Sequence, residues 1–421
     1  MKKLLTALML FGVALSASST QVPTVVLDNC VLKQNPQNRM VEVTYELTGD
    51  TPVYVTLDIT TNGVPIPMPE AVWGDITTKQ FLKAVEPDDL APKKIYWLAK
   101  QDWPNNLTTN ARAKVTAWFT NDPPVSLMSY LVVDLSGGPS AGIYPVRYAS
   151  MLPESGNTHK TTELWMRHIP AGTFMMGSPV GEYGFNTDPA KAAETQHQVT
   201  LTQDFYIGVF EVTQQQYELV MGVNPASNKG GLAQPVENVA YDTIRGSQSW
   251  PASDDVGLNS FMGRLRARTS LKFDLPTEAQ WEYACRAGTT GALNNGQELT
   301  HLISCIHLNE VACYRRGGAN NAHTVVGSYL PNAWGLYDMH GSVWEWCLDW
   351  FIKDLGDGSV TDPKGSETPF ENRRMYRGGC YNNDAAQCRS AGERLGYGSQ
   401  NAHATLGFRA AIQPPPGGGG Q

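Results

Sequence analysis

The sequence predicts two folded regions of different class, an antiparallel β-sandwich over residues 22–136 and an irregular, loop-rich α/β domain over residues 162–413. The first rests on short segments in which apolar and polar residues alternate, with β-branched and aromatic side chains enriched. The second rests on recurrent Gly, Asn and Pro, dense aromatic residues, and only two stretches that carry full helix start and stop signals.

Before either region, the chain opens MKKLLTALMLFGVALSASS. Two lysines, a short apolar run and then small residues read as a secretory signal over residues 1–18, so the protein is expected to be exported to a periplasmic or extracellular space. No later stretch approaches the ~18–20 apolar residues of a spanning helix, which argues against an integral membrane protein. A formal net charge of -8 with no Lys/Arg cluster argues against a nucleic-acid partner, because phosphate binding requires a basic surface.

In the first region VEVTYEL (41–47), PVYVTLDITTNG (52–63), KIYWLA (94–99), AKVTAWFT (113–120) and YLVVDL (130–135) are separated by turn clusters such as LTGD, TNG and NDPP. Short alternating strands at this spacing read as a sandwich of the fibronectin or immunoglobulin kind. Residues 137–161, beginning Gly137-Gly138-Pro139, read as a linker. The tail 414–421, PPPGGGGQ, has nothing to bury and is expected to be disordered.

The two helices of the second region lie in EVTQQQYELVMG and LPTEAQWEYACRAG. Thr213 with Gln216, and Thr277 with Gln280, form capping boxes, while Gly222 and Gly288 supply the stops. Trp344, Trp346 and Trp350 read as core rather than as a binding platform, since dense aromatics are what hold a loop-rich domain together.

Seven cysteines are present: Cys30, Cys285, Cys305, Cys313, Cys347, Cys380 and Cys388. None forms a C-x-x-C pair and no His doublet accompanies them, so a closed zinc site is not expected. An oxidising compartment would pair some of them, and the odd count leaves at least one over. The eight histidines form no spaced ligand cluster or triad signature.

Seven blocks fall in order: IPAGTFMMGS (169–178), DFYIGVFEVTQQQY (204–217), QPVENVAYD (234–242), LPTEAQWEYACRAGT (275–289), NAWGLYDMHGSVWEWCLDW (332–350), RGGCYNND (377–384) and LGFRAA (406–411). Together they resemble the formylglycine-generating enzyme family, the sulfatase-modifying factor domains. The resemblance implies that family's compact fold, related to C-type-lectin folds, for the second region; it does not cover residues 1–160. It also implies a chemistry, the oxidation of a sulfatase cysteine to formylglycine by molecular oxygen at a copper(I) ion held by two thiolates. Soft thiolates suit Cu(I).

The family block after the paired glycines has a serine, a cysteine three residues later and a second cysteine five further on. Here those positions are Cys380, Asn383 and Cys388, so one copper ligand is replaced by an amide. Cys388 admits two alignments. Counted from Gly378 and Gly379 it is the second copper position. Counted with RSAGER and LGFR it resembles a structural cysteine that pairs with the one in the WEYAC helix, here Cys285. The second alignment is preferred because Cys285 is a ready partner for an exported protein. A rescue in which Cys380 and Cys388 together supply the copper sulfurs stays open.

The same resemblance implies a calcium site in GLYDMHGSVWEW, held by the side chains of Asp338 and Glu345 and the carbonyls of Gly341 and Val343. Closely spaced hard oxygens in a glycine-bearing loop suit Ca²⁺. The competing assignment has Asp338 capping a turn and Glu345 meeting an arginine, and Arg409 in LGFR reads as such an ion-pair partner.

The functional expectation is an exported binding or accessory module acting on a peptide, glycan or envelope partner. It keeps the fold and one calcium site but lacks the standard copper thiol pair. The alternative is a copper- and oxygen-dependent oxidase of sulfatase cysteines.

Overall fold

The computed structural model describes residues 24–25, 31–35, 40–49, 51–61, 64–65, 72–77, 84–87, 92–99, 111–119, 129–153, 155–185, 192–246, 249–315 and 322–412. The expected signal segment, Cys30 and the tail 414–421 lie outside them. The chain divides into two compact units, residues 1–124 and 125–421. It is β-rich with few helices, and among the described residues no helix is long and apolar enough to cross a membrane.

In the first unit, Val31–Gln34, Val41–Tyr45, Lys93–Trp97 and Val72–Gly74 form one antiparallel sheet in that order. Val64–Pro65, Val53–Thr61 and Ala111–Phe119 form another. The alternation in VEVTY and VYVTLDI decides which residues turn inward. Val41, Val43 and Tyr45 share one buried cluster with Val53, Val55, Leu57 and Ile59, and Ile95, Trp97 and Val115 complete it.

The YLVVDL segment does not belong to that unit. Tyr130–Asp134 lies within a six-stranded antiparallel sheet of the second unit, between Val146–Ala149 and Glu163–Ile169, with Leu131 opposite Met166 and Val133 opposite Leu164. Its side chains are buried from Tyr130 through Val133, as expected of an inner strand covered on both faces. The segment read as a linker is likewise structured, containing the strand Val146–Ala149 and the short helix Thr158–Thr161. Phe205–Gly208, Ala411–Ile412 and Phe273–Asp274 complete the sheet, so the end of the C-terminal LGFRAA block enters it between two other strands.

A second sheet positions the candidate site. Its order is Leu395–Gly398, Arg373–Arg377, Trp344–Trp350 and Leu406–Gly407, the last pair parallel. Every residue of Trp344–Trp350 is buried, and Trp346 has no exposed surface, so the three tryptophans are core. The helices Gln214–Met221 and Glu278–Arg286 start on the two capping boxes, with the reciprocal Thr213–Gln216 and Thr277–Gln280 bonds both formed. Two further helices, Tyr241–Arg245 and Phe261–Thr269, had not been read from the sequence.

Buried ion pairs tie the long loops to this frame. Arg394 grips Glu278 through Nε at 2.6 Å and Nη2 at 3.0 Å, Arg377 reaches Glu282 at 2.6 Å, and Arg389 joins Glu182 at 2.6 Å to Glu194 at 2.8 Å. Each arginine joins segments distant in sequence, Arg377 and Arg394 to the helix Glu278–Arg286 and Arg389 to two acids of the 178–194 stretch, which gives a domain with little regular structure a defined interior.

Candidate functional site

The strand Arg373–Arg377 runs into Gly378 and Gly379, whose φ values of 103° and 80° are open only to glycine at low cost. Close approach adds a second reason. A Cβ on Gly379 would lie 2.5 Å from Cys388 Sγ, and one on Gly378 would lie 3.1 Å from the Trp281 ring. The pair therefore seats the following turn, Cys380 to Asn383, against the WEYAC helix.

Within that turn Cys380 N donates to Asn383 Oδ1 at 2.9 Å, and Cys380 Sγ lies 2.8 Å from the same oxygen and 2.9 Å from Asn382 Oδ1. Asn383 Nδ2 donates to Gln387 Oε1 at 3.0 Å. Asn383, which the resemblance sets at the first copper position, thus fastens the turn with both ends of its amide. Burial pushes the Cys380 thiol up to about 11 and the Cys388 thiol well above its ordinary range, so both hold their protons near neutrality. An amide oxygen at Asn383, a hard donor already tied to Cys380 and Gln387, does not fit a Cu(I) site, whose ligands are thiolates.

The disulfide expected between Cys285 and Cys388 is not formed. Both are buried thiols, and none of the six described cysteines is joined in a disulfide. Cys285 Sγ instead points toward Met339 O at 3.7 Å, with its own ionisation pushed up to about 12 by burial. Cys388 sits in a separate apolar cluster with Ala292, Leu308 and Tyr314. His340 fixes its backbone: Nδ1 donates to Cys388 O at 2.7 Å while Nε2 accepts from Asn294 N at 3.0 Å. Burial lowers His340 to about 4, which agrees with the neutral ring those two bonds require.

Of the residues that the resemblance assigns to calcium, Asp338 accepts from a turn and Glu345 meets Arg409, as in the competing assignment, and Glu211, which sequence reasoning missed, lies beside them. Asp338, at φ 57°, accepts from Gly327 N through Oδ2 at 2.6 Å. Gly341, at φ 76°, passes so close to Cys313 O that no side chain fits there. Glu211, fully buried, accepts from Ser342 Oγ at 2.9 Å and from Val343 N at 3.0 Å. Glu345 receives Arg409 Nε and Nη2 on its two oxygens, each at 2.7 Å, and Trp281 Nε1 at 2.7 Å.

Three buried carboxylates therefore face one buried guanidinium. Burial is the largest cause that raises Asp338 to about 6 and Glu211 well above the ordinary carboxylate range. Mutual repulsion with Glu345 adds to both, and Arg409 opposes it. Excess negative charge, hard oxygen donors and a glycine-bearing loop fit a divalent cation such as Ca²⁺. Asp338, the carbonyls of Gly341 and Val343, and the remaining lone pair of Glu345 would hold it, with Glu211 alongside. Among the described residues no three His, Cys, Asp or Glu side chains are grouped to hold a metal by themselves, so the carbonyls would be needed.

Beside the Cys380 turn, Arg315 N donates to Asn383 O at 3.1 Å and its guanidinium lies 3.6 Å from the Asp384 carboxylate. A cavity of about 360 Å³ opens there, lined by Ser304, Asn309, Ala312, Tyr314, Arg315 and Tyr329. The nearby Ile303, Ile306 and Leu330 are 44%, 67% and 60% exposed.

A family model for the sulfatase-modifying factor enzyme 1-like domain matches residues 153–414, and the chain belongs to that family. The serine/threonine-protein kinase pkn1 of Chlamydia pneumoniae is 35% identical over 139 residues, covering 32% of this chain and 20% of that one. The formylglycine-generating enzyme of Thermomonospora curvata is 34% identical over 153 residues, 33% of this chain and 49% of that one. The chaperone protein LppX of Paenibacillus barcinonensis is 29% identical over 223 residues, 45% of this chain and 73% of that one. The chain thus spans half or less of the first two relatives. Among solved structures, Treponema denticola variable protein 1 is 26% identical with a TM-score of 0.47, covering 60% of this chain and 96% of that one.

Proposed function

We propose that the protein is an exported binding or accessory module of the sulfatase-modifying factor family that has given up the copper oxidase chemistry. One observation supports this reading: Asn383, which the resemblance sets at the first copper position, carries an amide bonded to Cys380 and Gln387 instead of a thiol. The N-terminal two-sheet unit, in this reading, is a sandwich of the fibronectin or immunoglobulin kind. The second unit has a C-type-lectin-related frame carrying one calcium ion at Asp338, Gly341, Val343 and Glu345. The opening segment MKKLLTALMLFGVALSASS supports export.

A protein, peptide or glycan partner is supported by the cavity at Arg315 with its exposed Ile303, Ile306 and Leu330, since apolar side chains around a concavity mark interaction surfaces. Similarity to a protein named as a chaperone is in keeping with an accessory role. The test is a Cu(I) titration of the reduced protein against a thiol competitor. No copper should be retained. Stoichiometric Cu(I) that is lost in both Cys380→Ser and Cys388→Ser would overturn the reading in favour of the oxidase.

A further inference from the structure

One face of the four-stranded sheet in the first unit carries an aromatic pair. Leu32, Val41, Ile95 and Val72 turn toward the buried cluster, so by the alternation of a strand their neighbours Lys33, Glu42, Tyr96 and Trp73 turn the other way. Register sets those four in one row across the sheet: Lys33 opposite Glu42, Glu42 opposite Tyr96, and Tyr96 opposite Trp73. At ~4.8 Å per strand the row is roughly 14 Å long.

The rings of Trp73 and Tyr96 lie 6.0 Å apart between centroids with their planes 26° from parallel, and Trp73 is still 47% exposed. Cross-strand packing explains why the rings touch, but it does not need the indole to keep half its surface in water. Beside them Lys94 Nζ meets Glu42 Oε1 at 3.3 Å, with both side chains partly exposed. In this row and the one next to it, Lys33 and Lys94 balance Glu42 and Asp75, whose Oδ2 accepts from Lys94 N at 2.9 Å. The face is therefore aromatic and hydrogen-bonding at once, without a net charge.

We propose that this row binds a neutral oligosaccharide. A pyranose has an apolar C–H face, which packs on the exposed indole and phenol rings, and a rim of hydroxyls, which find an acceptor in Glu42 and donors in Lys94 and Lys33. Balanced charge favours an uncharged ligand, since an acidic or a basic polymer would meet as much repulsion as attraction here. The length of the row suits a chain of a few sugar rings rather than a single one. The site lies wholly within the first unit and depends neither on the cavity at Arg315 nor on the copper position.

The test is calorimetric titration of the full chain with the neutral hexaoses of β-linked glucose, xylose, mannose and N-acetylglucosamine, with hexagalacturonate as the acidic counterpart. At least one neutral hexaose should bind, and added salt should not weaken it. Trp73→Ala and Tyr96→Ala should each lower the affinity by about tenfold or more. Failure of every neutral hexaose to bind overturns the proposal, as does binding of hexagalacturonate alone. Binding that survives Trp73→Ala overturns it too; if Arg315→Ala then abolishes that binding, the glycan belongs to the cavity of the second unit. Should an alanine variant misfold, as judged by circular dichroism, the isosteric Glu42→Gln decides the matter. Weaker binding by that chain supports the site, and unchanged binding overturns it.

Discussion

Arg409 grips Glu345 through both carboxylate oxygens at 2.7 Å, with neither side chain more than 1% exposed. The same guanidinium donates to Gly208 O at 2.8 Å and Tyr337 O at 3.0 Å, so it joins the six-stranded sheet to the Trp344–Trp350 strand. Arg409→Met keeps most of the volume but strands Glu345 and Glu211 without their cation. A loss of about 3–5 kcal/mol is expected from breaking one side of a buried pair. Urea unfolding should show it as a lower midpoint with unchanged slope.

Asp338 makes calcium-free stability depend on pH with an unusual sign. Its proton is held to about pH 6 in the folded chain, against 3.8 ordinarily. Between those values the unfolded chain releases the proton and the folded chain keeps it. Stability therefore falls as pH rises from about 4 to 6 and levels off above, by something on the order of 2–3 kcal/mol. Asp338→Asn can still accept from Gly327 N and tolerates the positive φ, so it should make the fall smaller, leaving the part that comes from Glu211. The measurement is the stability difference between the two chains at pH 4.5 and 7.5 in chelator.

Calcium should reverse that fall. At pH 7.5 it is expected to raise the melting temperature of the wild-type chain, with less effect at pH 4.5, where Asp338 is protonated. An unchanged melting temperature at pH 7.5 under saturating calcium contradicts the assignment at Asp338.

The thiols should divide by environment. All four are buried, and burial holds Cys285, Cys380 and Cys388 in their protonated forms; at Cys305 burial is outweighed by hydrogen bonds that include Thr300 N–H and Oγ1, at 3.4 and 3.5 Å from Sγ, and its ionisation is lowered. Timed alkylation of the native protein, mapped by peptide mass, should find Cys305 modified before the other three. Reaction of Cys380 first would contradict its raised ionisation.

Thr277→Ala removes the side-chain bond to Gln280 N at 3.1 Å at the start of the WEYAC helix. About 1 kcal/mol of stability should be lost, as for other caps. Differential scanning calorimetry at pH 7 checks it.

Local signals were readable in the sequence where the physics is local. A threonine with a glutamine three residues on and a glycine at the end defines a helix without help from the rest of the chain, and both such helices formed. The helix Phe261–Thr269 was harder to see because Gly263 interrupts a short pattern, although Ser260 caps it. YLVVDL reads as a strand, but alternation cannot say which sheet a strand joins, and its partner Glu163–Ile169 lies beyond the segment taken for a linker. Glu211 went unread as a site residue because a lone acid in GVFEVT carries no spacing signal. Its meaning comes only from Asp338 and Glu345 arriving beside it. The Cys285–Cys388 pairing failed for the complementary reason, that a plausible partner in sequence is no guarantee of an aligned one in space.

Loss of the copper thiol pair at Asn383 is tested most directly by incubating the full chain with a peptide carrying Cys-x-Pro-x-Arg, copper and oxygen, and weighing the peptide. The cysteine mass should persist unchanged. Conversion to the aldehyde of formylglycine would show that Cys380 and Cys388 suffice for the oxidase, and would contradict the assignment of this domain as a binding or accessory module.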